Sequence, residues 1–133
     1  MGRMPHTNHF GGLKSKDIEI VNYYIKLLNL KELKNQQINN LSDGQFQKVM
    51  IAKALAQETP LLLLDEPTAF LDIKNKEIIF KLLKKLAVEM GKTIFVSTHN
   101  LDFCKEYCDD LWLIKDNKLK VYPGNEITKE FFN

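Results

Sequence analysis

Four consecutive leucines, Leu61 to Leu64, run straight into Asp65-Glu66-Pro67. A short unbroken apolar run bounded by polar residues reads as a strand buried on both faces of a parallel sheet. Ligands of such sheets gather at the carboxyl ends of the strands, where these two adjacent acids stand. One carboxylate at that position can hold Mg²⁺, mostly through retained waters, while its neighbour orients or deprotonates a water that attacks a phosphoryl group. Taken alone, Asp-Glu-Pro is equally consistent with a turn that closes a strand.

Two further stretches shift that balance. Leu41-Ser42-Asp43-Gly44-Gln45 precedes a segment, Gln45 to Gln57, whose apolar residues Phe46, Val49, Met50, Ala54 and Leu55 recur at helical spacing. Ser42 is a good N-cap. The helix it opens offers free backbone N–H groups, a positive dipole end, a hydroxyl, and at Gly44 a backbone that an anion can approach closely. These are the parts of a phosphate site, although an ordinary capped helix needs no more than Ser-x-Gly. Downstream, Phe70-Leu71-Asp72 follows Pro67-Thr68-Ala69, and the β-rich run Thr93 to Ser97 leads into Thr98-His99-Asn100. A neutral imidazole at a strand's carboxyl end can hydrogen-bond a phosphate or an attacking water; a lone loop histidine is more often only solvated.

In this order, Leu-Ser-Asp-Gly-Gln, Leu-Leu-Leu-Leu-Asp-Glu-Pro, Phe-Leu-Asp and Ser-Thr-His resemble the signature, Walker B, D-loop and switch histidine of the ATP-binding cassette (ABC) ATPases. The resemblance covers nearly the whole chain and implies an α/β fold: part of a P-loop NTPase, with a helical subdomain and the C-terminal part of a mostly parallel sheet flanked by helices. It implies that residues 1–45 end the helical subdomain and lead to the signature, and that residues 46–133 belong to the RecA-like ATPase core. ATP and Mg²⁺ are the implied cofactors. Asp65 would hold Mg²⁺ through water, Glu66 would be the general base, and His99 would contact the γ-phosphate. Ser42, Gly44 and Gln45 would close over ATP held by a second ATPase subunit, in a homodimer, and Asp72 would face across that interface.

Two departures stand out. Asp43 occupies a position where the family's commonest signature has glycine; a carboxylate near a γ-phosphate is unfavourable, and a Cβ restricts positive φ. Its side chain is therefore expected to point away, leaving Ser42 and Gly44 as phosphate contacts. The second departure is the Walker A motif, Gly-x-x-x-x-Gly-Lys-Ser/Thr between a strand and a helix, which does not occur. Gly91-Lys92-Thr93 imitates its end, but Leu86 stands at the first glycine position, and the tripeptide closes a helical stretch and opens a strand. Gly91 reads instead as a helix C-cap. The family's glutamine loop and adenine-stacking aromatic are missing too. At 133 residues the chain is shorter than doubly wound ATPases of this kind. The expectation is an excised C-terminal portion, or the product of a truncated or split gene, inactive alone and active as an ATPase when intact. A sheet without its upstream strands would expose an apolar edge and favour self-association.

Composition sets looser bounds. Nineteen basic against 17 acidic residues give a net charge of +2, which argues against a dominating nucleic-acid surface. No secretory signal and no membrane-spanning apolar segment stand in the sequence, so a soluble protein is expected. Cys104 and Cys108 read as free thiols, since no second ligand pair accompanies them. His6 and His9 flank a Gly-bearing loop with only a weak case for metal binding.

Helices are expected over Asp17 to Asn29, with Val21, Tyr24, Ile25 and Leu28 as the core stripe, and over Lys74 to Met90, with Ile78, Ile79, Leu82, Leu83 and Leu86 packed on the sheet. Lys81, Lys84 and Lys85 then form a solvated face. Asp110 to Lys115 and Lys118 to Tyr122 read as a hairpin turned at Asp116-Asn117, and Asn125 to Phe132 as a short final helix.

Gly2-Arg3-Met4-Pro5-His6, Ala54 to Gln57 and Thr68 to Asp72 resemble, within the family, the ATPases of importers for iron-siderophores, haem or cobalamin. That resemblance implies a peripheral protein on the cytoplasmic face of the cell membrane, powering import of an iron chelate and docking on a permease through Asp17 to Asn40. Two other classes compete. The C-terminal lobe of a chromosome-maintenance or DNA-repair ATPase carries the same motifs, but emerges from a coiled coil, and no sustained heptads precede Leu41. A non-catalytic interaction module is the third reading.

Overall fold

The computed structural model describes residues 2–3 and 13–126. Helix α1 spans Ser15–Leu27, α2 Asp43–Leu55, α3 Ile73–Met90 and α4 Leu101–Tyr107; strands β1, β2, β3 and β4 span Leu61–Asp65, Thr93–Ser97, Asp110–Lys115 and Lys118–Pro123. Two short 3₁₀ turns, Lys31–Leu33 and Ile38–Asn40, join α1 to α2. A third, Gly124–Glu126, lies where the final helix was expected, most of which falls outside the described residues. So do His6 and His9.

Strands β1 and β2 pair in parallel with Asp65 opposite Ser97, and β3 and β4 form an antiparallel hairpin. Asp116 and Asn117 adopt φ of 52° and 57°, as a type I′ turn requires. The expected sheet is thus present as two separate two-stranded sheets among the described residues. Gly91 caps α3 in the left-handed region at φ 59°, so Gly91-Lys92-Thr93 is a helix stop followed by a strand.

The core joins Tyr24 of α1 and Leu28 at its C-cap, Ile51 and Leu55 of α2, Leu62 of β1, and Ile79, Leu83 and Leu86 of α3. The α1 stripe behaves as its spacing predicts. In α2 the buried face is Ile51, Ala52 and Leu55, whereas Phe46 and Met50 are exposed. Ile78 of α3 is also exposed. Helical periodicity fixes which residues share a face, but not how far that face is rotated toward its neighbours.

One expectation fails outright. Strand β1 is not buried on both faces: Leu62 is 5% exposed, while Leu63 is 69% exposed and Leu61 is open as well. Helices α2 and α3 cover only the side to which Leu62 and Leu64 point.

Near the start of the chain, Arg3 is buried between helices. Its Nε donates to Asp17 Oδ1 at 2.8 Å, and one terminal nitrogen donates to the Ala56 carbonyl at 3.1 Å and to Glu58 Oε2 at 2.6 Å. Asp17 also accepts from the Lys14 amide at 2.9 Å, capping α1. One guanidinium therefore ties the first turn of α1 to the end of α2.

Candidate functional site

The parallel register of β1 and β2 brings two strand ends together and, with them, the acids and the histidine. Ser97 Oγ donates to Asp65 Oδ1, and the Glu66 amide donates to Ser97 Oγ at 2.9 Å. The backbone of Glu66 takes φ 43°, a sparsely populated conformation for a residue with a Cβ and one that concentrates at functional sites. Its amide also reaches the Ser97 carbonyl at 3.2 Å. That turn aims the Glu66 carboxylate at His99, whose Nε2 lies 3.1 Å from Glu66 Oε1. The His99 side chain is almost fully exposed and that of Glu66 only partly so. A ligand arriving from solvent therefore meets the imidazole first. The His99 loop is shaped by Thr98 Oγ1, which accepts from the Asn100 amide at 3.1 Å, and Asn100 Oδ1 accepts from Lys76 Nζ at 3.2 Å.

Asp65 and Ser97 present hard oxygen donors at the open end of the sheet, the type that suits Mg²⁺, an ion that usually takes one or two carboxylates and completes its shell with water and phosphate. The residues fit that role. Among the described residues no group of three or more His, Cys, Asp or Glu could enclose a metal unaided.

The second group is built on the first turns of α2 and α3. Ser42 caps α2: its Oγ accepts from the Gln45 amide at 3.3 Å, and its own amide donates to Gln45 Oε1 at 3.0 Å, a reciprocal capping box. The side chains of Ser42 and Gln45 are thus engaged with each other, while first-turn amides of the helix lack intrahelical partners. Asp72 caps α3 by accepting from the Asn75 amide and side chain, both at 2.8 Å. The Asn75 amide holds the Asp72 carboxyl below its ordinary value. A Cβ on Gly44 would stand 3.2 Å from Asn75 Oδ1, so the helix opened by Ser42 and the helix capped by Asp72 meet at this glycine. Asp43 is exposed and points to solvent.

Of the seven residues singled out in sequence, two pairs touch directly, Glu66 with His99 and Ser42 with Gln45; Asp65 joins the first group through Ser97 and Asp72 the second through Asn75. Gly44 joins the second through its approach to Asn75. The hydrogen bond from Lys76 Nζ to Asn100 Oδ1 ties the first turn of α3 to the His99 loop and so links the two groups. Sequence reasoning missed Ser97 as the bridge between Asp65 and Glu66, and Asn75 as the partner of Asp72. A serine ending a strand beside a histidine loop was the available signal for the first; nothing local marked the second.

Comparison with known proteins decides what such a pair of groups belongs to. A family model described as ABC transporter matches residues 4–69. The probable iron chelatin transport ATP-binding protein of Helicobacter pylori is 39% identical over 133 residues, 100% of this chain and 52% of its own length. The petrobactin import ATP-binding protein of Bacillus anthracis is 40% identical over 92% of this chain and 45% of its own length. The chain belongs to the ABC transporter ATP-binding family. Its fold agrees: a structure assigned to the metal-chelate type of ABC transporter, in an inward-facing conformation, superposes with a TM-score of 0.91 at 35% identity, over 98% of this chain and 52% of that one. A bacterial ABC transporter cassette solved as a dimer matches at 0.70 and 33% identity, over 86% of this chain and 50% of that one. The expected fold class, a partial P-loop NTPase of this ABC family, is therefore borne out. The chain spans about half the length of the curated relatives it matches.

Proposed function

We propose that this chain supplies the hydrolytic acids and the signature helix of an ATPase that powers import of an iron chelate through a membrane permease. The contact that carries the reading is Glu66 Oε1 to His99 Nε2 at 3.1 Å, beside Asp65 at the same strand ends. Bound Mg²⁺ and ATP would supply the phosphoryl group and the neutralising charge. Glu66 is then the general base, accepting a proton from the attacking water. His99 would orient that water and the γ-phosphate, and Asp65 with Ser97 would hold the hydrated metal. Glu66 and His99 lie within hydrogen-bond reach of one another, as shared work on one water requires.

Ser42, Gly44 and Gln45 are read as acting on nucleotide held by a second ATPase subunit. Their capping box opens as Ser42 Oγ turns from the Gln45 amide to phosphate. Asp72, fixed by Asn75, faces the same subunit. The dimeric cassette among the structural relatives supports this arrangement. The permease contact falls on residues 17–40, where Ile18, Tyr23 and Ile38 are exposed and a small cavity of about 170 Å³ opens between Tyr23, Leu27, Leu86 and Met90. No helix among the described residues is long and apolar enough to cross a membrane, which suits a subunit held at the cytoplasmic face by its permease. The names of the relatives favour import over the chromosome-maintenance and interaction-module readings.

The test replaces the matched half of the Helicobacter pylori relative with this chain. The chimera is expected to hydrolyse ATP, and Glu66→Gln to abolish turnover while ATP binding persists and a closed dimer accumulates. Near-normal turnover in Glu66→Gln would remove Glu66 from the role of base. The chain alone is expected to bind ATP weakly at most; nanomolar affinity would contradict the need for a separate phosphate-binding loop.

A further inference from the structure

The His99 imidazole is 96% exposed and meets Glu66 alone among the described residues, so packing does not set its direction. Its aim falls instead to the residues on either side, Thr98 and Asn100, both half-buried. Asn100 is the N-cap of α4, a position where asparagine ordinarily accepts from a first-turn amide of its own helix. Here its side chain makes no such cap. Oδ1 accepts instead from Lys76 Nζ at 3.2 Å, and Nδ2 donates to Thr98 Oγ1 at 3.2 Å, the same oxygen that accepts from the Asn100 amide at 3.1 Å. One side-chain amide is thus drawn off a helix terminus and spans the base of the histidine loop. A local preference set aside in this way marks a position that answers to something other than helix stability. The ammonium makes the bond to Oδ1 charge-assisted, and it comes from 24 residues away, on the turn of α3 that Asp72 caps.

We propose that Lys76 is a positioning residue for His99: its ammonium holds Asn100, Asn100 holds Thr98, and the loop closed in this way turns the imidazole toward Glu66. Its part in turnover rests on the proposed catalytic reading, whereas the direction of the ring is a property of this chain. Without the bond from Lys76, the Asn100 side chain is free to cap α4, and the ring samples directions away from Glu66. The aim of the ring matters to the attacking water rather than to nucleotide binding, so the loss falls on kcat and not on KM. The same bond makes that aim depend on where the first turn of α3 sits, and Asn75 of that turn meets Gly44.

The first measurement follows the ring ¹⁵N resonances of His99 in this chain by NMR, with Glu66→Ala as the reference for a ring that has lost its partner. Lys76→Met keeps the aliphatic stem and removes the donors; it should move the His99 resonances in the direction of Glu66→Ala and speed exchange of the Asn100 amide by about threefold or more. Lys76→Arg keeps a donor and should stay near wild type. Asn100→Ala should reproduce Lys76→Met, and the double variant should be no worse than either single one, since both break one contact. In the chimera with the Helicobacter pylori relative, Lys76→Met should lower kcat about tenfold with KM for ATP within about twofold of wild type, and Lys76→Arg should recover most of the loss. His99 resonances that stay in place in both Lys76→Met and Asn100→Ala would overturn the proposal. Unchanged kcat for Lys76→Met in an active chimera, or a Lys76→Arg variant as impaired as Lys76→Met, would do the same. A wild-type chimera without ATPase activity would count against the catalytic reading alone, and the ring resonances would still decide what places His99.

Discussion

Leu62 and Leu63 are neighbours in one strand with opposite surroundings: the first is 5% exposed in the core, the second 69% exposed on a bare sheet face. Successive strand residues point to opposite sides, so this pair samples the two faces of β1–β2 directly. The covered face is closed by helices close to it in sequence, α2 just before β1 and α3 between β1 and β2. Among the described residues the bare face has no such neighbour. An unbroken leucine run therefore fits a strand covered on both sides, of which the described residues cover one.

That contrast can be tested by substitution. The largest effect is expected at the foot of α1: Asp17→Ala removes one of the two carboxylates on the Arg3 guanidinium, Glu58 remaining, together with the cap of the helix, and should lower the midpoint of urea unfolding. Ile79→Ala, on the covered side and 1% exposed, should cost about 2–5 kcal/mol. Leu63→Ala on the bare side should change stability by no more than about 0.5 kcal/mol; a loss comparable to that at Ile79 would mean that the bare face is covered in solution. Thr68 is fully buried with a hydroxyl that has no partner among the described residues, so Thr68→Val should raise stability by roughly 1 kcal/mol.

The smallest effect concerns pH. The Asp72 carboxyl is held below its ordinary value by the Asn75 amide. Its contribution is therefore fully present above the unfolded value and fades as pH falls through the folded one. Wild type should lose α3 stability in acid relative to Asp72→Asn, with the two converging once Asp72 is protonated. Parallel acid titrations followed by circular dichroism would check this.

Much of the secondary structure was legible. The helix over Lys74 to Met90 and its glycine stop, the two strands and the Asp116-Asn117 turn are found within a residue or two, because caps, periodicity and turn residues act locally. The buried face of α2 was not: with 3.6 residues per turn, Phe46 and Met50 lie across the helix from Leu55, whose side carries Ile51 and Ala52 into the core. Arg3 offered no local sign of burial, since its partners Asp17 and Glu58 are 14 and 55 residues away.

For the candidate site, the sequence by itself determined the chemistry: acids after a leucine strand, a histidine after a second strand, and a capped helix bearing Ser-Asp-Gly-Gln. Only the tertiary structure decided their grouping. The Asp65–Ser97 register and the left-handed turn at Glu66 bring Glu66 and His99 together, and the approach of Gly44 to Asn75 joins the helix opened by Ser42 to Asp72. Motifs are local and can be read along the chain. Registers, close approaches and uncovered faces depend on which distant segments pack, and those are settled by burial and pairing in three dimensions.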